Sequence, residues 1–138
     1  MGPALRDARV IEFGGRDAKV AGIGGYLAAK AAAIVGRGQR KDLYDFAYVL
    51  VNTGWQAHDL ATEIVAATAP DPSWARDPRH DVRAAIRRYS GVDSDGPRTY
   101  AAEAVAAGSE ESSHDLAADA VAAVASFAAA FEDALPAS

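Results

Sequence analysis

The chain has no cysteine, one methionine and four phenylalanines in 138 residues. Without cysteine there is neither a disulfide framework nor a thiolate metal site. Its three histidines, His58, His80 and His114, are never at metal-ligand spacing from one another, so no histidine-based metal centre is expected. No unbroken apolar run approaches the roughly 18 residues that span a bilayer, and acidic residues near the N-terminus argue against a signal core. The expectation is a soluble cytoplasmic protein with no membrane partner. No internal repeat of fixed period is present.

Alanine is what the chain has in excess. It inflates the 50% hydrophobic fraction while adding helix propensity rather than core area, so a helical protein with a thin core is expected. The net charge of -5 is unevenly spread. Residues 1–53 sum to +3 and the remainder to -8, which makes the first part the better place to hold phosphate.

One stretch organises the rest. Gly24 to Asn52 reads as two helices joined by the basic turn Gly36-Arg37-Gly38-Gln39-Arg40-Lys41. Leu27, Ala31, Ile34 and Val35 make the apolar stripe of the first helix, with Lys30 at its edge. In the second, Leu43, Phe46, Ala47 and Leu50 are the apolar face, while Asp42, Asp45 and Asn52 form a separate stripe. A short connection makes the helices antiparallel neighbours, bringing Lys30 and Arg37 within reach of Asp42 and Asp45. Such an ion pair either ties the helices together or faces a ligand, and the two roles are compatible. Gly36 to Gly38 lacks the strand-loop-helix context of a Walker loop. Tyr44 and Tyr48 are expected as packing aromatics rather than base-stacking platforms.

Elsewhere the sequence predicts ordinary elements. Ala8–Phe13 and Lys19–Ile23, separated by 14–17, read as a β-hairpin whose open edge would have to lean on the helices or a partner. Beyond Asn52-Thr53-Gly54, helices are expected at Gln56–Thr68, from Asp77-Pro78 to about Tyr89, near Thr99–Ala107, and from about His114 to Leu135 with Ser113 as N-cap. Val92–Arg98 reads as a loop and Gly108–Ser113 as an acidic linker. Trp55 and Trp74 are expected to pack under the helix they flank, and Arg79, Arg83 and Arg87 to form a solvated stripe. The fold class expected is therefore α+β, mostly α. It comprises residues 1–53 as hairpin plus helical hairpin and 54–138 as an α-helical region.

Lys30, Arg37 and the run Arg40-Lys41-Asp42-Leu43-Tyr44-Asp45, in that order and spacing, resemble the C-terminal part of nucleotidyltransferases of the AbiEii toxin family. The resemblance covers roughly residues 8–52. It implies a toxin of a toxin-antitoxin pair, with Lys30, Arg37, Lys41, Asp42 and Asp45 beside the phosphates of a nucleotide. It also implies Mg2+, a nucleoside triphosphate, an antitoxin partner and an RNA acceptor. The family's Gly-Ser turn followed by Asp-x-Asp on a strand, which holds triphosphate and metals, is absent. Asp93-Ser94-Asp95 lies in a turn-like stretch, and Gly108-Ser109 precedes Asp115 and Asp119 at helical spacing. The chain thus reads as a nucleotidyltransferase without its catalytic half, inactive alone unless a separate N-terminal segment completes it. The alternative is a helical module that binds a partner protein through its long C-terminal helix.

Overall fold

The computed structural model describes residues 18–53, 55–72 and 77–136. Among the described residues there are six helices: α1 (Ala18–Gly36), α2 (Arg40–Asn52), α3 (Ala57–Ala67), α4 (Pro78–Arg87), α5 (Asp95–Ala106) and α6 (Ser113–Ala134). There is no strand among the described residues, so the fold is mainly α and the expected β-hairpin is corrected. Its second strand, Lys19–Ile23, lies within α1; its first strand and turn fall outside the described residues. The physical reason is the spacing of Ile23, Leu27, Ala31 and Ile34, all buried to 1% exposure or less. That period belongs to a helix, and burial along it overrides the β preference of two branched residues.

The first helix, expected from Gly24, starts earlier, and Gly22, with φ 68°, interrupts it two residues before that expected start. Gly24 has a different task. A Cβ there would stand 2.3 Å from the carbonyl oxygen of Glu63, so its missing side chain lets α1 lie directly on α3.

α3 packs between α1 and α6, while α2 touches α1, α5 and α6. One hydrophobic cluster runs through all six helices. At its centre Phe46 meets Phe127 edge-on at 6.4 Å, and Phe127 stacks on Phe131 at 5.9 Å. Burial of these large rings supplies much of the driving force that the alanine-rich helices lack. α6 is long and apolar enough, by length and composition, to cross a membrane. Leu116, Ala120, Val124, Phe127 and Phe131 of that helix are buried in the core.

Local signals place the remaining ends. Asp77 accepts a hydrogen bond from the Arg79 amide with Pro78 at the first helical position, as the sequence implied. α6 is capped by Ser112, not Ser113: the Ser112 hydroxyl accepts from the Asp115 amide at 3.1 Å. α5 begins at Asp95, inside the expected loop, because Pro97 falls in its first turn, where the missing amide hydrogen is not needed. Gly96 allows that start, since a Cβ there would lie 2.5 Å from the Arg88 carbonyl oxygen and 2.7 Å from the Tyr89 ring.

The arginine stripe of α4 is only partly solvated. Arg79 donates to Thr68 Oγ1 and the Val65 carbonyl at 3.2 and 2.9 Å, tying down the C-terminal end of α3. Arg83 forks onto both oxygens of Glu132 at 2.7 and 2.9 Å, and both residues are exposed. Exposed pairs contribute little, so Arg83→Ala is expected to cost at most about 1 kcal/mol in urea denaturation. Of the two tryptophans, Trp55 packs against the core, and Trp74 lies outside the described residues.

Candidate functional site

The α1–α2 connection is short because Gly38 reverses the chain with φ 58°. The amides of Arg37 and Gly38 both donate to the Ala33 carbonyl, at 2.8 and 3.1 Å, closing α1 in a glycine-dependent C-cap. The Gln39 carbonyl then accepts from the Asp42 and Leu43 amides and opens α2. Two helices held this closely put their facing side chains in contact.

Lys30 Nζ lies 2.7 Å from Asp45 Oδ2 and 3.5 Å from Asp42 Oδ1. Arg37 closes on Asp42 from the other side, Nε to Oδ2 at 2.8 Å and Nη2 to Oδ1 at 3.1 Å. Lys41 Nζ stands 3.5 Å from Asp45 Oδ2. The structure therefore brings Lys30, Arg37, Lys41, Asp42 and Asp45 together. Asn52, read from the sequence on the same stripe, is not part of the group; it donates instead to the Tyr48 carbonyl and, at 3.4 Å, to Tyr100 Oη.

Exposure ranks the members. The Asp42 side chain is 0% exposed, Asp45 16%, Lys30 18%, Arg37 59% and Lys41 78%. Hydrogen bonds from Arg37 hold the Asp42 carboxyl below its ordinary value despite the opposing effect of burial. Burial works against the Lys30 ammonium, but the hydrogen bond to Asp45 and the charges of Asp45 and Asp42 outweigh it, leaving the group raised. Lys30 also sits 5.7 Å from the centroid of the Tyr26 ring, a cation-π wall. Burial and the Asp45 charge push the Tyr26 phenol up. Asp42 and Lys30 are thus charged at neutral pH.

Compared with protein-family models, curated proteins and solved structures, the chain matches none. Geometry and motif carry the functional reading.

The donor set separates two kinds of ligand. Among the described residues no three of His, Asp and Glu converge, and Asp42 and Asp45 are already engaged by cations. These residues do not fit a Mg2+ ion. Phosphate is different: three cations meet two carboxylates, and the surplus charge lies at the exposed rim on Lys41. Arg37 has its fork filled by a carboxylate that cannot turn to solvent. It acts as a positioning residue for Asp42.

Sequence reasoning missed two neighbours. Tyr26 is one helical turn before Lys30, a spacing that could have revealed it. Glu103 of α5 binds Arg40 across 63 residues and left no local signal. Tyr44 and Tyr48 do pack as expected, 5.5 Å apart, with Tyr44 stacked on Tyr100 at 5.6 Å. His58, His80 and His114 are exposed.

Proposed function

We propose that the α1–α2 hairpin is the nucleotide-side element of a nucleotidyltransferase resembling the AbiEii toxins, with Lys30 as the phosphate-facing cation. The observation that supports this is the position of Lys30 Nζ between two carboxylates of the next helix, fixed yet still 18% exposed. A lysine oriented in this way can neutralise phosphate charge without first reorganising. Asp42 and Asp45 orient it, Arg37 locks Asp42, and Lys41 adds charge at the rim.

The sequence carries no Gly-Ser followed by Asp-x-Asp, so in this reading a separate catalytic segment supplies the metals and the Gly-Ser side of the triphosphate site, while the cations of this chain meet the phosphates from the other side. An RNA acceptor, an antitoxin and a cytoplasmic location belong to the same proposal. The chain alone transfers no nucleotide.

Titration of the chain with each ribonucleoside triphosphate and magnesium, followed by amide chemical shifts, tests the reading. Shifts centred on Lys30, weakened about tenfold or more in Lys30→Met, are expected. Absence of binding in the wild type, with Lys30→Met lowering only thermal stability, would leave Lys30 as a clip between helices.

A further inference from the structure

A groove between α2 and α5 adjoins the Lys30 cluster. Arg40, Lys41, Tyr44 and Asp45 of α2 face Glu103 and Ala107 of α5 across about 460 Å³, a volume in the range of small-ligand sites. It shares Lys41 and Asp45 with the Lys30 cluster, so the two are parts of one continuous surface.

Among the described arginines that face a carboxylate, the one in this groove is the most loosely held. Arg40, 63% exposed, presents both Nε and Nη2 to the single oxygen Oε2 of Glu103, each at 3.2 Å. Arg83 reaches two separate oxygens of Glu132, at 2.7 and 2.9 Å. Arg37 likewise uses both oxygens of Asp42, which is sealed from solvent. A guanidinium fork matched to one carboxylate oxygen at long distance, between groups 63% and 41% exposed, contributes little to stability. A phosphate presents more charge and several oxygens to the same fork.

We propose that this groove is a polyphosphate site and that Glu103 is its built-in competitor. The Glu103 carboxylate occupies Arg40 until a phosphate group of the ligand displaces it, while Lys41 holds the next phosphate. No bond is made or broken. The inference rests on the nucleotide reading, since the polyphosphate is that of the same nucleotide, and deepens it by adding a gate from α5.

Calorimetric titration with inorganic triphosphate, at low and at physiological ionic strength, tests it on wild type, Glu103→Gln, Arg40→Gln, the double variant and Lys30→Met. All these sites except Lys30 are surface positions, and thermal melts confirm that each variant is folded. Glu103→Gln is expected to bind about fivefold tighter than wild type, and Arg40→Gln should abolish that gain in the double variant. An unchanged Glu103→Gln beside a weakened Lys30→Met overturns the gate and keeps the nucleotide reading. An Arg40-dependent gain with Lys30→Met unaffected supports the groove and overturns the role of Lys30. No binding to any variant overturns both.

Discussion

Asp42→Ala is expected to lower the stability of the fold by about 3 kcal/mol in denaturant titration, whatever the chain binds. The carboxylate is 0% exposed and receives three contacts from Lys30 and Arg37, so its loss removes the anion from between two cations. The cost stays at the lower end for broken buried pairs because Arg37 can hydrate and Lys30 keeps Asp45. Asp45→Ala should cost less, since Asp45 is 16% exposed and Lys30 would keep Asp42. Equal losses for the two would mean that burial does not set the hierarchy.

The same carboxylate shapes the acid limb of stability. Its folded value is depressed, so its contribution is fully present above its unfolded value near pH 4 and is lost as pH falls through the folded one. Lys30 is shifted the opposite way: its contribution holds below an unfolded value near pH 10.4 and is lost as pH rises through the folded one. Melting temperature should therefore decline less steeply below about pH 4 in Asp42→Ala than in wild type.

The second large effect is expected at Gly24. A Cβ at this position meets the Glu63 carbonyl oxygen at 2.3 Å and its carbon at 2.6 Å, and both are backbone atoms that no rotamer change can move. Gly24→Val must push α1 off α3, at about 3 kcal/mol or more, the top of the range for overpacking. Gly36→Ala is the control. Nothing lies within 4 Å of a Cβ there, so better helix propensity should leave stability unchanged or raised by up to about 1 kcal/mol. A Gly24→Val protein with wild-type stability would refute the close approach of these helices.

Much of the candidate site was legible because its parts are local. Lys30 lies on one helix with Arg37 just past its end, Asp42 and Asp45 lie three apart on the next, and a glycine turn of fixed chemistry joins them. Less legible was the exposure of each carboxylate, since both occupy one stripe and only contact with Arg37 and the core seals Asp42. Lys19–Ile23 misled for a related reason: five residues do not distinguish a strand from a helix when Ile23 is also the first step of a longer helical stripe.

What the sequence by itself determined is the set of helices from α2 onward, to within a few residues, and the meeting of Lys30 with the paired aspartates, because periodicity, caps and a short turn act between near neighbours. Only the tertiary structure decided that Gly24 is a contact point on α3, that Glu103 of α5 closes on Arg40, and that Tyr26 walls Lys30. Those relations depend on which helix faces lie opposite each other, and that is settled by burying the Phe46, Phe127 and Phe131 cluster in a core shared by the whole set of helices.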